Sequence, residues 1–271
     1  MQRFERAGLT FDVRDGGPSG GEPVVLLHGF PQDSSSWRLI EPLLQAQGLR
    51  TLAVDQRGYS PQARPPRRAD YAMPELVADV LALLDAADLS SAHVVGHDWG
   101  GAVAWQLAGL HPDRVRSLTV LSTPHPRALS VAARKSTQLL RSGYMFFFQL
   151  PVVPELVVAR TLGSSLRRSG LPPEFAAHNA QRMREPGALT AALNWYRGLP
   201  LSLSGPQPRC PVPTTYIWGR RDPFLGRVAA EATADFVTAP YRFVELDAPH
   251  WLPETHPAQV AAVITDTIRT A

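Results

Sequence analysis

Asp98 is the first residue whose type and setting could do chemistry. It lies in residues 94–101, where a buried apolar run turns sharply and continues as a helix. Gly96 and Gly100 remove the side chains that would collide when the chain folds back on itself, so their spacing predicts an exposed carboxylate in a strained backbone conformation. The simpler interpretation is an ordinary strand-to-helix turn in which Asp98 caps the helix.

An aspartate at such a bend restricts the possible reactions more than a serine would. A carboxylate that attacked an ester would form an anhydride, which is a poor route to hydrolysis. Attack on a saturated carbon that bears a leaving group instead gives a stable alkyl ester of the enzyme. Asp98 therefore predicts cleavage of a bond between carbon and a heteroatom, and it argues against esterase or peptidase activity.

The segments around Asp98 alternate between short apolar strands and helices. A half-exposed strand at residues 9–13 is predicted to open the sheet, and helices are predicted at residues 34–47, 74–87 and 101–110. Further strands are predicted at residues 23–27, 49–54, 93–95, 115–121, 213–219 and 241–246. This alternation predicts an α/β fold, in which a mostly parallel, twisted sheet carries helices on both faces.

The alternation stops at residue 124 and resumes at residue 213. The residues between carry frequent prolines and no strand pattern, which predicts short helices in succession. A helical insertion beside the bend at Asp98 would form a lid that excludes water from the site. The sequence thus predicts an α/β core in two parts, residues 1–124 and 213–271, with a helical lid at residues 125–212.

In this order of elements the chain resembles the α/β-hydrolase family over nearly its whole length, and in particular the soluble epoxide hydrolases. The resemblance implies that Asp98 is the nucleophile, Asp222 the acid that follows a late strand, and His250 the histidine that follows the last strand. The acid would orient the imidazole through Nδ1 and leave Nε2 to take a proton from water. Asp247 is the alternative acid, and Pro249 departs from the family, in which a glycine often precedes the histidine.

The resemblance also implies two backbone donors for the oxyanion that forms when an ester is hydrolysed. They are the N–H groups of Phe30, in the loop after an early strand, and of Trp99, directly after the nucleophile. Because both are main-chain groups, the side chains at these two positions remain free to shape a pocket.

Two tyrosines of the predicted lid favour an epoxide as the substrate. Tyr196, in the sequence Asn-Trp-Tyr-Arg, matches a stretch of soluble epoxide hydrolases, and Tyr144 lies in residues 143–149, which line up with the segment that carries the family's other tyrosine. A tyrosine with a pKa of about 10 could protonate the alkoxide that ring opening releases. The alternative for each is a packed aromatic side chain that hydrogen-bonds a backbone carbonyl.

The resemblance therefore implies an epoxide hydrolase that needs no cofactor and converts a small apolar epoxide and water to a vicinal diol. A haloalkane or haloacid dehalogenase is the alternative reaction. Dehalogenases hold the halide between the tryptophan after the nucleophile and a second donor, and Phe30 has no side-chain donor to add to Trp99. A non-catalytic small-molecule receptor on a hydrolase scaffold is the alternative of another class, although a receptor has little need of a paired histidine and acid.

Composition sets the outer limits of these predictions. The chain has 271 residues with a net charge of +3, so a globular protein is expected and nucleic-acid binding is not. A single cysteine, Cys210, excludes an intrachain disulfide, and without a leader-like segment or a membrane span a cytoplasmic monomer or homodimer is expected. His97, His125 and His178 show no metal-ligand spacing, so no metal is expected.

Overall fold

The chain forms one eight-stranded sheet in the computed structural model, which describes residues 1–202 and 205–271. The strands are β1 (Arg3–Arg6), β2 (Leu9–Gly16), β3 (Glu22–Leu27), β4 (Leu49–Val54), β5 (Ala92–His97), β6 (Val115–Leu121), β7 (Thr214–Gly219) and β8 (Tyr241–Leu246). Their order across the sheet is β1-β2-β4-β3-β5-β6-β7-β8. The pairs β1–β2 and β2–β4 are antiparallel and the other pairs are parallel, so the predicted fold class is confirmed.

The first strand of the sheet is β1, and the prediction that residues 9–13 open the sheet is wrong. Three of the four residues of β1 are charged, and only Phe4 is buried, with its ring stacked on that of Phe11 at 4.7 Å. Short charged strands are typical of sheet edges, because charge discourages pairing with another chain. A strand of this kind lacks the apolar run or long alternation that reveals the other strands.

The strands that lead to Asp98 lie at the centre of the sheet. β3 and β5 are parallel neighbours, paired from Val24 with His93 to Leu27 with Gly96. All residues of β5, and all of β3 after Glu22, are buried, as continuous apolar runs predict for strands covered on both faces. The loop after β3 and the bend after β5 therefore leave the sheet side by side at the carboxyl edge, where parallel sheets usually bind ligands.

Helices cover both faces of the sheet within the described residues. The α-helices are α1 (Glu41–Gln45), α2 (Met73–Ala86), α3 (Trp99–Leu110), α4 (Pro126–Lys135), α5 (Gln138–Arg141), α6 (Tyr144–Phe147), α7 (Val153–Arg168), α8 (Pro173–Arg182), α9 (Ala188–Ser202), α10 (Arg227–Ala232), α11 (Leu252–Thr255) and α12 (Pro257–Arg269). Short 3₁₀ helices occur at Ser34–Trp37, Arg68–Tyr71, Pro112–Arg114 and Thr233–Phe236.

The predicted helix at residues 34–47 is interrupted. A 3₁₀ turn comes first, and its cap is Asp33, whose carboxylate accepts a hydrogen bond from the Ser35 N–H at 2.9 Å. α1 then begins separately, with Pro42 in its first turn. Proline suits a first turn but not a helix interior, because it has no N–H to donate.

Two apolar layers hold the helices to the sheet. On one face α2 and α3 pack with fully buried side chains such as Leu83 and Trp105, and on the other α1 and α12 pack with Leu44 and Ile264. Helices α4 to α9 lie between β6 and β7, and no strand occurs in the described residues from 126 to 202. In the part of the chain that the structure describes, no helix is long and apolar enough to cross a membrane.

Candidate active site

The backbone at Asp98 has a conformation that residues other than glycine rarely adopt. Its φ is 50° and its ψ is −121°, at the junction between β5 and α3. A Cβ at Gly96 would lie 2.4 Å from the carbonyl oxygen of Gly100, and a Cβ at Gly100 would lie 2.2 Å from that of Leu27. The chain folds back this tightly only because glycine occupies both positions, as their spacing predicts.

The Asp98 carboxylate is held by the loop that follows β3. The Phe30 N–H donates a hydrogen bond to Asp98 Oδ1 at 2.9 Å, and Gly29 lies so close that a Cβ there would be 2.3 Å from Asp98 Cβ. Burial raises the pKa of Asp98, but the hydrogen bond and charge of His250 outweigh burial and bring that pKa below its ordinary value. Asp98 is therefore ionised at neutral pH.

His250 lies between two carboxylates. Its Nδ1 is 2.7 Å from Asp222 Oδ2, and its Nε2 is 3.5 Å from Asp98 Oδ2. The other oxygen of Asp222 accepts the backbone N–H groups of Phe224 and Leu225, at 2.7 and 3.0 Å. Burial lowers the pKa of His250, but the charge and hydrogen bond of Asp222, together with those of Asp98, raise it to about 10. The imidazole is thus an imidazolium flanked by both acids.

The alternative acid, Asp247, points away from this group. Its side chain is 56% exposed and forms ion pairs with Arg220 at 2.9 Å and Arg221 at 3.1 Å. The structure brings Asp222, and not Asp247, into contact with His250.

The two predicted backbone donors occupy different elements. Phe30 lies in the loop after β3, and its N–H already bonds the Asp98 carboxylate. Trp99 is the first residue of α3, so its N–H belongs to the group at a helix start that has no acceptor within the helix. Both donors therefore adjoin the side chain or the main chain of Asp98.

The two tyrosines come together from separate helices. Tyr144 begins α6 and Tyr196 lies in α9, with their ring centroids 5.9 Å apart. The Tyr196 ring also lies edge-on to the Trp99 ring at 5.0 Å. Burial raises the pKa of both tyrosines above the ordinary value, and the charge of Asp98 raises each further. Both hydroxyls therefore keep their protons at neutral pH.

Two cavities meet at these groups, and both are lined by Asp98, Tyr144, Tyr196 and Phe224. The larger has a volume of about 480 Å³, and the smaller has about 230 Å³. Apolar side chains of the larger cavity include Phe30, Phe148, Val158, Leu162, Leu166 and Trp251. Those of the smaller cavity include Met73, Ala102, Leu129, Met145, Leu199 and Leu225. A mostly apolar molecule could therefore extend to either side of Asp98.

Comparison with known proteins agrees with this arrangement. Residues 22–257 match the family model described as the alpha/beta hydrolase fold. The chain belongs to the α/β-hydrolase family. It is 36% identical to the AB hydrolase superfamily protein YfhM of Bacillus subtilis (strain 168), over 97% of this chain and 95% of that protein.

Several relatives of this hydrolase carry a narrower name. Epoxide hydrolase A of Mycobacterium tuberculosis (strain ATCC 25618 / H37Rv) is 32% identical over 96% of this chain and 94% of its own length. The crystal structure of Epoxide Hydrolase A from Mycobacterium thermoresistibile superposes with a TM-score of 0.85 and 28% identity, covering 98% of this chain and 97% of that chain. The resemblance to the epoxide hydrolase-like branch of the family, and the expectation of a hydrolase, are thereby confirmed.

Sequence reasoning misses a chain of buried polar side chains behind His250 in this hydrolase. The ring of His97, the last residue of β5, contacts the Gln32 side chain through Nδ1 at 2.9 Å and the backbone oxygen of His250 through Nε2 at 3.0 Å. Gln32 in turn bonds Glu254, whose pKa burial raises to about 7, although the bond with Gln32 opposes this shift. The one signal in the sequence is proximity, because Gln32 follows Phe30 by two residues and Glu254 follows His250 by four.

Proposed function

We propose that this hydrolase converts an apolar epoxide and water to a vicinal diol through a covalent ester on Asp98. The observation that carries the proposal is that Asp98, Tyr144 and Tyr196 share the walls of two apolar cavities. A carboxylate can attack a ring carbon while protonated phenols hold and protonate the ring oxygen. The relatives named epoxide hydrolases support the same reaction.

In the first step, one carboxylate oxygen of Asp98 forms a bond to a ring carbon while the bond between that carbon and the ring oxygen breaks. The electron pair of the broken bond goes to the ring oxygen, which takes a proton from Tyr144 or Tyr196 and becomes a hydroxyl. Oδ2 is the attacking oxygen in this scheme, because Oδ1 accepts the Phe30 N–H. The products are a hydroxyalkyl ester of Asp98 and one tyrosinate. The His250 imidazolium then gives its proton to that tyrosinate, which restores the phenol and leaves a neutral imidazole.

In the second step, water attacks the ester carbonyl carbon while His250 Nε2 takes one proton of that water. When the tetrahedral intermediate collapses, the bond between that carbon and the diol oxygen breaks, and the departing oxygen takes the remaining proton of the former water. Asp98 returns as a carboxylate beside the His250 imidazolium. The free enzyme holds the pKa of His250 near 10, partly through the charge of Asp98, and alkylation removes that charge. The pKa then falls, and the imidazole becomes a usable base. The N–H groups of Phe30 and Trp99 stabilise the oxyanion on Oδ1, and losing one such donor typically costs ~10²–10³ in rate.

The helices between β6 and β7 act as a lid in this proposal. α6 and α9 supply the two tyrosines, and the loop after β3 and the bend after β5 supply Phe30 and Asp98. Closing the site from water protects the ester until His250 activates one water molecule. We therefore assign the lid to residues 125–212, between two core parts at residues 1–124 and 213–271.

Cleavage of a carbon–halogen bond by the same Asp98 is the second candidate, because Trp99 lines the smaller cavity. A halide needs a second side-chain donor beside the indole N–H, and Phe30 supplies only a ring, edge-on to Tyr196 at 5.3 Å. Measuring diol release and halide release side by side, over a panel of epoxides and haloalkanes, separates the two reactions.

Trapping the ester tests the covalent route. His250→Gln should still be alkylated by a styrene-oxide-like substrate and should fail to release diol. Intact-protein mass spectrometry should then show a chain heavier by one epoxide, and a digest should place the added mass on the peptide that holds Asp98. His256→Gln, which changes a half-buried histidine six residues further along the chain, should turn over without an adduct. In heavy-oxygen water, the first diol from a single turnover of the parent enzyme should carry ordinary oxygen. A labelled first diol and no adduct would rule out Asp98 as the nucleophile.

A further inference from the structure

The surface of the predicted lid carries an unusual concentration of apolar side chains. Of the thirteen large hydrophobic residues exposed in the described chain, eight lie between residues 139 and 157. The most exposed are Leu140 at 81%, Phe146 at 67% and Val152 at 65%. We call the exposed apolar side chains of residues 139–157 the lid patch. A concentration of apolar side chains at a surface usually marks an interaction site, whereas single exposed apolar residues need no explanation.

The lid patch is held in place and is not a fraying loop. Arg197 of α9 donates to the carbonyl oxygens of Phe148 at 3.0 Å and Leu150 at 2.8 Å, and Gln149 donates to the carbonyl oxygen of Tyr196 at 2.7 Å. These bonds tie the backbone in the middle of the patch to the helix that carries Tyr196. The apolar side chains around them therefore face outward while the backbone is anchored.

Helix α7 shows the same outward apolar character in its first half. Its buried stripe consists of Pro154, Val158, Leu162 and Leu166, spaced at i, i+4. The opposite face should then be polar. It instead carries exposed Val153, Leu156 and Val157 in the first turns and basic residues in the last turns.

The charge of this region has one sign. Residues 126–170 contain seven Arg or Lys side chains and one acidic side chain, a net charge of +6 in a chain whose total is +3. The acidic residue, Glu155, is bound by Arg197 at 2.7 and 3.0 Å. Arg134 and Lys135 are exposed a few residues before Leu139 in the chain, and exposed Arg160 follows Leu156 by about one turn of α7. An apolar surface with exposed positive charges in the same segments matches an anionic lipid surface, in which chains accept the apolar groups and headgroups accept the cations.

We propose that the lid patch docks this protein on an anionic membrane surface. The patch adjoins the larger cavity, because Val157 is 43% exposed and also lines that cavity with Phe147 and Arg168. A docked molecule would therefore hold the mouth of the cavity at the lipid interface, where an apolar molecule dissolved in the bilayer can enter without crossing water. Docking itself does not depend on the reaction at Asp98.

Vesicle flotation in the absence of any epoxide tests the docking. The parent protein should float with vesicles of phosphatidylcholine and phosphatidylglycerol, should bind phosphatidylcholine alone much less, and should be partly released by high salt. Leu140→Ser combined with Phe146→Ser should weaken binding roughly 10- to 100-fold. The matched control is Leu39→Ser combined with Leu110→Ser, which removes two leucines outside the lid patch that are 40% and 42% exposed. This control should leave binding unchanged.

A second pair of variants keeps the test decisive if the apolar pair folds poorly. Arg134→Gln combined with Lys135→Gln changes only exposed charges at the end of α4 and should lower binding about fivefold per charge at low salt. A parent protein that fails to float with anionic vesicles at low salt overturns the proposal. A second result would also overturn it: a parent protein that is a dimer, does not bind vesicles and becomes a monomer when Leu140→Ser and Phe146→Ser are combined. A second copy of the chain would then cover the lid patch.

Discussion

Removing the hydroxyls of Tyr144 and Tyr196 tests the step that distinguishes epoxide opening from other reactions at Asp98. In the proposed first step each phenol donates a hydrogen bond to the ring oxygen as negative charge develops there. A hydrogen bond to a charged group is worth about 1.5–3 kcal/mol, which is about 10- to 150-fold in rate. We therefore expect Tyr144→Phe and Tyr196→Phe each to slow alkylation by that factor, and the double variant to slow it by ~10²–10⁴, the range typical of general acid catalysis.

The fold should survive these changes, because the rings keep their packing. Tyr196 lies edge-on to Trp99 and Phe148, at 5.0 and 4.9 Å, and neither contact needs the hydroxyl. Trp99 is also the residue next to Asp98, so stopped-flow tryptophan fluorescence should report formation of the ester with a styrene-oxide-like substrate. Melting temperatures of the parent and variants provide the check that the fold is retained.

Tyr59→Phe is the matched control. Burial raises the pKa of Tyr59, and the charge of nearby Asp98 raises it further. Tyr59 nevertheless lines neither cavity, and its hydroxyl has no hydrogen-bond partner among the described residues. The alkylation rate of this variant should equal that of the parent. A double variant of Tyr144 and Tyr196 that alkylates Asp98 at the parent rate would refute the acid role of the tyrosines.

Three further predictions concern the groups around the tyrosines. Asp222→Asn should lower the rate of ester hydrolysis by about 10⁴-fold and let the ester accumulate, because an amide no longer holds the imidazole in the required tautomer. Asp247→Asn should behave as the parent. Equal losses of both variants in single-turnover assays would contradict the assignment of Asp222. Gly29→Ala places a methyl group 2.5 Å from Asp98 Oδ1 and should reduce turnover at least ~10²-fold, because it displaces that oxygen from the Phe30 N–H. The methyl group of the control variant, Gly20→Ala, meets nothing within 4 Å, so its turnover should equal that of the parent. In the folded protein the pKa of Glu254 is raised from 4.5 to about 7. Between pH 4.5 and about 7 the folded state therefore binds more protons than the unfolded state, and the parent loses stability as the pH rises through this range. The melting temperature of Glu254→Gln relative to the parent should therefore increase between pH 4.5 and about 7, and a difference independent of pH would count against the buried carboxyl.

The parts of the site that sequence reasoning could predict are those that depend on neighbouring residues. Gly96 and Gly100 predict the bend at Asp98 because the clash they avoid is with their own segment, and the structure has the positive φ that this requires. The buried strands were predictable for a similar reason, since apolar runs report burial on both faces. The edge strand β1 was not, because a charged strand with one buried side chain carries little pattern.

Contacts between distant segments could not be read from the same patterns. Gln32, His97 and Glu254 form a buried polar chain behind His250, yet each is an ordinary polar residue in its own segment. The exposure of the lid patch was equally hidden, because an apolar run is compatible with a buried helix or with an outward face. Only the folded structure shows that α7 buries the side that carries Val158, Leu162 and Leu166 and leaves apolar side chains of its first turns exposed.

The sequence by itself determined the bend that carries Asp98 and the alternation of buried strands with helices, because spacing and hydrophobic pattern are properties of short segments. The tertiary structure decided which partner each group meets. Asp222 and Asp247 are both acids that follow late strands, and only the folded chain shows that the first contacts His250 at 2.7 Å while the second is held by Arg220 and Arg221 at the surface. The physical reason is that a side-chain contact between segments depends on where the backbone carries both of them, and no local preference specifies that distance.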